Sequence, residues 1–184
     1  MKKVAVLLAT GYEEIEALTV VDVMRRAGEE CHIVSTEDIE VVSSHNIKVT
    51  ADKILEDKLE DYDLVVLPGG LPGATNLQKN PKVIEVLRDF NNKGKLIAAM
   101  CAAPIVLATA GVIEGKNITS YPGYEEELQG ANYIDNENVV VDGNLITSRG
   151  PATTLPFAYK MLEVLGNDAY KTLQEGMMFN FLMR

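Results

Sequence analysis

The chain has no tryptophan, two histidines and two cysteines among its 184 residues. The two cysteines, Cys31 and Cys101, make no disulfide framework, and their spacing fits no zinc motif. With His32 and His45 as the only histidines, no metal site is expected. Basic residues are also few: 17 Lys and Arg against 27 Asp and Glu give a net charge of −10. They are scattered, so no face offers the phosphate contacts that nucleic-acid binding needs. No apolar run approaches the roughly 20 residues of a membrane span. The start, MKKVAVLLATGYEEIEA, is apolar only briefly and acids follow at once. It reads as a first buried strand, not a leader, and a cytoplasmic protein is the expectation. No P-loop or GxGxxG pattern is present, and no cofactor is expected.

What is present is an ordered alternation of strands and helices. VAVLLA (4–9) is a short buried strand. EEIEALTVVDVMRRAG (13–28) has Ile15, Leu18, Val21 and Met24 at helical spacing and stops at Gly28. CHIVS (31–35) reads as a strand, and 39–52 as a hairpin turning at Ser43 to Asn46. DLVVLPGG (63–70) is a buried strand ending on a turn. PKVIEVLRDFNNKG (81–94) is a helix with Pro at its start and Gly at its end. LIAAM (96–100) predicts a strand and 103–111 a helix. Residues 138–148 predict a hairpin with Asp142-Gly143 in its turn. Two helices, 151–166 and 168–181, follow. This order predicts one α/β domain over residues 1–184, a flavodoxin-like three-layer sandwich with a mostly parallel sheet. In such sheets ligands sit at the carboxyl ends of the strands. Three loops meet there: ATGYEEIE, LPGGLPGA and MCAAP.

In LIAAMCAAP (96–104), Cys101 stands at the corner between a strand and a helix. That is the geometry of a nucleophile elbow, and the small Ala102 and Ala103 let so tight a turn close. The thiolate is the reactive form, and a free thiol titrates near 8.5. Lowering it to about 6 takes about 3.4 kcal/mol, at about 1.36 per unit. A helix end supplies about 1 kcal/mol, and about 2 at best. A second donor is required, and Glu16 is the candidate. Ionised, its carboxyl would raise the thiol; protonated, it would donate to the sulfur and lower it. The two would share one proton. Glu13 and Glu14 have a plainer explanation, since acids favour a helix start. Pro68-Gly69-Gly70 is either a plain strand-end turn or a second source of backbone donors. On the latter reading, the N–H groups of Gly70 and Ala102 polarise a carbonyl bound to Cys101. Cys31, inside a strand, reads as inert core.

A cysteine hydrolase pairs its thiol with a histidine. Here both histidines precede Cys101, one on a strand and one in a hairpin turn, so amide hydrolysis is disfavoured. Direct chemistry of the thiolate is favoured: oxidation to a sulfenic or sulfinic acid, or addition to a reactive aldehyde.

GYEEIEA (11–17), VDVMRRAG (21–28), VVLPGG (65–70), IAAMCAAP (97–104) and ITSRGP (146–151) together resemble the ThiJ/PfpI superfamily. Within it they are most similar to the branch of the Parkinson-disease protein and YajL. The likeness runs nearly end to end in the same order. It implies a flavodoxin-like sandwich that forms a homodimer through its first helix. Cys101 matches the elbow cysteine, Glu16 the protonated acid beside it, and Gly70 and Ala102 the oxyanion-side donors. Gly69, Tyr121, Ser148 and Arg149 match positions around the pocket; Glu13, Asp22 and Arg26 match the dimer side. Family activities include glutathione-independent glyoxalase, deglycase, redox sensing with chaperone function, and protease or amidase. The resemblance does not choose among them. Two departures stand out. The hydrolase branch carries His after the elbow Cys, where this chain has Ala102. A pocket His of the nearer branch is Tyr121 here. A phenol donates a hydrogen bond but is a poor base near neutral pH; Tyr121 otherwise only shapes the pocket. The tail MMFNFLM (177–183) reads as packed core or dimer contact, and alternatively as a chaperone surface.

Overall fold

The computed structural model describes residues 1–56 and 59–183. The central sheet has seven strands: β1 (Lys3–Leu8), β2 (Glu30–Ser35), β5 (Lys53–Ile54), β6 (Leu64–Leu67), β7 (Leu96–Met100), β10 (Val139–Asp142) and β11 (Leu145–Ser148). Across the sheet they lie in the order β10-β11-β7-β6-β1-β2-β5. All neighbours run parallel except β10, which turns back on β11 through the Asp142-Gly143 hairpin. Strands β3 (Glu40–Val42) and β4 (Lys48–Thr50) form a separate hairpin, and β8 (Asn117–Ile118) pairs with β9 (Asn132–Tyr133). The fold is the flavodoxin-like α/β sandwich that the alternation predicts.

Strand side chains alternate between two cores because successive Cβ atoms point to opposite faces. Ala5, Leu7, Val65 and Leu67 face α2 (Gly73–Lys79), α3 (Pro81–Asn92) and α4 (Pro104–Ala110). Val4, Val6, Leu8, Leu64 and Val66 face α1 (Glu14–Arg26) and α5 (Thr154–Val164). Each fully buried Leu or Val contributes about 1.5–3 kcal/mol, so this double core carries the fold. Helix α3 starts where Asn80 accepts the N–H of Lys82 and Pro81 takes the first helical position.

The structure departs from the sequence reading at several elements. The inner face of α1 is Ala17, Val20, Val21, Val23 and Met24, whereas Ile15 is 52% exposed. Helix α2 has no clear sequence signal, because Pro72 and Gly73, which open it, read as loop residues. The last expected helix is two, α6 (Ala169–Gly176) and α7 (Phe179–Leu182), broken at Met178 with φ 62°. Within the tail, Met177 and Phe179 pack on the α1/α5 core, but Met178, Phe181, Leu182 and Met183 are exposed. Of the two parts of that expectation, packed core holds for Met177 and Phe179, and the exposed side chains are those left for a dimer contact.

Buried Glu29 links the start of the chain to the turn after α5. It accepts the backbone N–H of Lys2 at Oε2 and the Asn167 amide at Oε1, 2.6 Å away. Asn167 also donates to the Ala27 carbonyl at 3.1 Å. Asn167→Ala removes both bonds and leaves a buried carboxylate oxygen without its donor. A loss of about 1–3 kcal/mol is expected in urea unfolding; no change would show that water replaces the amide.

Candidate active site

Cys101 follows β7 directly and has φ 59°, a left-handed backbone that a non-glycine residue adopts at a cost of about 1–3 kcal/mol. Strand β11 and the segment beyond β8 hold it there. Its N–H donates to the Ser148 carbonyl at 3.1 Å, and its carbonyl accepts from the N–H of Tyr121 at 2.9 Å. The side chain is partly exposed, while Ala102 and Ala103 are buried.

Glu16 comes to the elbow from the first turn of α1 and is 1% exposed. The turn after β6 positions it by a reciprocal pair of bonds. Gly69 N–H donates to Glu16 Oε2 at 2.7 Å, and Gly69 C=O accepts the N–H of Glu13 at 2.9 Å. Glycine is required here: a Cβ on Gly69 would lie 2.6 Å from Cys101 Cβ and 2.8 Å from Glu16 Oε2. At Gly70, with φ 87°, a Cβ would lie 2.4 Å from the Glu13 nitrogen. The three loops thus meet as the strand order requires.

Among the described residues, the buried side-chain polar atoms without a hydrogen-bond partner are the Tyr12 hydroxyl and Oε1 of Glu16. Burial pushes the Glu16 carboxyl up to about 7, against the lowering effect of the Gly69 N–H and the Cys101 thiol. The thiol is not lowered by its surroundings as they stand. Burial, then the Glu16 charge and the hydrogen bond it accepts, push Cys101 up to about 12, while the N–H groups of Ala102 and Gly70 pull it down. Once Glu16 is ionised, therefore, Cys101 keeps its proton. With the proton on Glu16, the repulsive charge is gone and the acid becomes a donor. The helix-end contribution is small, because α4 is a seven-residue helix beginning three residues beyond Cys101. The amides at the sulfur come from the elbow and the Gly-Gly turn instead.

The remaining sequence candidates lie around the elbow or on the outer side of α1. Tyr121 is 49% exposed beside the elbow, with its ring against Gly150. Ser148 is buried; its hydroxyl donates to the Asn138 carbonyl at 2.7 Å and bonds Thr153 Oγ1 at 2.7 Å, so it braces the elbow. The Arg149 guanidinium bonds the Asp135 carbonyl and Thr119 Oγ1. Asp22 and Arg26 pair with each other at 2.7 Å on the exposed side of α1.

Tyr124 is a neighbour of the elbow that sequence reasoning misses. It is partly buried, and the charges of Cys101, Glu127 and Tyr121 raise its phenol further after burial does. The nearest signal is its place three residues after Tyr121. His45 is closer to the site than a hairpin turn suggests: it lies 3.0 Å from Glu14 Oε1 and 3.8 Å from Glu13 Oε2. Glu13, Glu14 and His45 place donor atoms within 4.8 Å of one another, a spacing already explained by this ion pairing. His32 instead meets the Tyr62 hydroxyl at 2.9 Å. Cys31 is buried, and burial pushes its thiol up to about 12.

An α/β sandwich with a strained cysteine elbow facing a buried glutamate defines the class. The sequence model described as the DJ-1/PfpI family matches residues 2–164, and the chain belongs to that family. It is 41% identical to Protein dj-1beta of Drosophila melanogaster over 181 residues, covering 96% of this chain and 97% of the relative. It is 43% identical to the Parkinson disease protein 7 homolog of Danio rerio over 169 residues, 89% of each chain. The crystal structure of Drosophila DJ-1beta superposes with a TM-score of 0.92 at 40% identity, covering 96% of this chain and 97% of that one. Oxidized DJ-1 of Toxoplasma gondii superposes at 0.91 with 35% identity, covering 97% and 98%.

Proposed function

We propose that this chain is a cytoplasmic stress-response protein of the reactive-cysteine type, acting on small reactive aldehydes or their early adducts through Cys101 and Glu16. The observation that carries this reading is the strained Cys101 backbone held against a buried glutamate with one unpaired oxygen. The Cys101 thiolate adds to the aldehyde carbon of methylglyoxal, and the carbonyl oxygen takes a proton to give a hemithioacetal. Gly70 and Ala102 N–H groups steady the developing oxyanion. Glu16, ionised for the next step, takes the proton from the former aldehyde carbon and returns one to its neighbour, leaving a thioester. Water then releases lactate and restores the thiol. Substrate plus one water equals product, so no oxidant or reductant is consumed. Tyr121 and Tyr124 wall the pocket. Amidase or protease activity is the weaker reading, since His32 and His45 are paired elsewhere.

A second reading keeps the same residues without turnover. Two equivalents of peroxide oxidise the thiolate through sulfenate to sulfinate, and protonated Glu16 donates to a sulfinate oxygen. The oxidized Toxoplasma relative favours considering it. Exposed Met178, Phe181 and Leu182 are the surface a chaperone role would use. We place homodimer contact on the outer face of α1, where Ile15 is exposed beside the Asp22–Arg26 pair.

Lactate from methylglyoxal should be lost in Cys101→Ser and in Glu16→Gln. Wild-type protein that makes no lactate but gains two oxygens selectively on Cys101 at low peroxide would replace the enzyme reading with the sensor. Peptide hydrolysis by pure protein would overturn the argument from the paired histidines.

A further inference from the structure

We propose that Tyr133 is a positioning residue for the Cys101 thiol, acting through Ser120 and Tyr121 to hold the elbow in its left-handed backbone. This rests on the assignment of Cys101 and Glu16 as the reactive pair, and it applies to either use of the thiol. A residue at φ 59° needs partners on both of its peptide groups to stay there. The Cys101 N–H is bonded to the carbonyl of Ser148, which its own hydroxyl braces. The Cys101 carbonyl is held by the Tyr121 N–H at 2.9 Å. That bond is only as firm as the backbone of Tyr121, which lies outside any strand or helix and whose side chain is half exposed.

The hold on Tyr121 comes from the two residues before it. Thr119 and Ser120 carry the chain from β8 to Tyr121, and both are wholly buried. Thr119 is tied to β11, where its N–H donates to Thr147 Oγ1 at 2.9 Å. Ser120 is tied to β9. The Tyr133 hydroxyl donates to the Ser120 carbonyl at 3.2 Å and lies 3.3 Å from Ser120 Oγ. The Ser120 hydroxyl in turn donates to the Tyr121 carbonyl at 2.9 Å. Tyr133 is itself fixed, because it is the ladder partner of Ile118 and packs on the core beneath α2, α3 and α4. A phenol on β9 thus seats the peptide that clamps the cysteine. When it is lost, the elbow relaxes, and the sulfur moves away from the Ala102 and Gly70 amides and from Glu16. Those are the donors that favour a thiolate, so the charged form is the one that suffers.

Tyr133→Phe removes the hydroxyl and keeps the ring. Amide exchange of the Tyr121 N–H, read by NMR, should quicken by about 3- to 10-fold, as the loss of one hydrogen bond allows. The Cys101 N–H, bonded to Ser148, should change less. Above the first proton loss of the Cys101–Glu16 pair, alkylation by a neutral agent reports the share of molecules that hold a thiolate. That rate should fall by about 3- to 10-fold. The deficit should close as pH rises toward the second proton loss, where both proteins hold the thiolate. A residue that only supported the fold would, when lost, loosen the site and speed alkylation. Ser120→Ala should act in the same direction, and the double variant should lose less than the product of the two single effects. Glu125 also faces the Tyr133 hydroxyl, from an exposed turn. Glu125→Gln keeps the Ser120 bonds and should leave the rate unchanged. Unchanged exchange, unchanged or faster alkylation, or a deficit equal at every pH would overturn the proposal. So would single effects that multiply, or an equal loss in Glu125→Gln. None of these measurements needs turnover, so a failed lactate assay leaves them readable and the two ideas fall separately.

Discussion

Glu16→Gln is expected to turn a two-step pH profile of Cys101 alkylation into a single step. In the wild type, the thiol and the carboxyl hold protons that leave in sequence. The first is lost near 7, where burial has placed the Glu16 carboxyl. The remaining proton is then shared, and the fraction of molecules with it on Glu16 carries a reactive thiolate. The rate should rise, reach a plateau, and rise again toward the second loss near 12. The substituted amide offers no proton to share and no charge, so one rise remains. Site-resolved mass spectrometry with a neutral alkylating agent reads both, with buried Cys31 as the silent control. A single rise near 8.5 in both proteins, the value of a free thiol, would show uncoupled groups and sink the thiolate argument.

The same substitution has a stability signature. The Glu16 carboxyl is raised from 4.5 to about 7 in the folded state. A raised acid binds more protons folded than unfolded, so its contribution is present below about 4.5 and lost as pH rises through about 7. The loss amounts to about 3 kcal/mol at about 1.36 per unit. Glu16→Gln should flatten this slope in urea titrations between those pH values.

Gly69→Ala is expected to lower Cys101 reactivity by at least about 100-fold, because reacting groups displaced by about 1 Å lose that much. The added methyl would sit 2.6 Å from Cys101 Cβ, 2.8 Å from Glu16 Oε2 and 3.0 Å from the Ala102 nitrogen. All three belong to the site, so relief at one displaces another. Overpacking of this kind costs about 1–3 kcal/mol. Gly176→Ala is the control. Nothing lies within 4 Å of a Cβ there, and Ala favours the helix by about 0.5–1 kcal/mol. Wild-type reactivity in Gly69→Ala would mean the pair tolerates separation and does not act as one unit.

The sheet and the meeting of three loops are legible in the sequence because continuous apolar runs and their order determine both. Cys101 is legible from its corner position, and Glu16 from the need for a second donor. What escapes depends on tertiary context. Strands β5, β8 and β9 are two residues each and leave no periodicity to read. Ile15 matches the helical spacing, but the sheet takes the neighbouring stripe of α1. His45 reaches Glu14 only because the hairpin folds over the helix start, with the N–H of Ser44 donating to the Tyr12 carbonyl at 2.9 Å. No local pattern encodes that.

Ile15 and Glu16 are adjacent on α1, one facing out and the other sealed against the thiol. The outer surface and the buried proton therefore share a rigid turn of backbone, anchored through Gly69. Any molecule that settles on the outer side and shifts that turn alters the proton affinity of the pair within. By thermodynamic reciprocity, acidity alters how tightly that molecule is held. Association on this face and the ionisation of the pair are then two readings of one equilibrium.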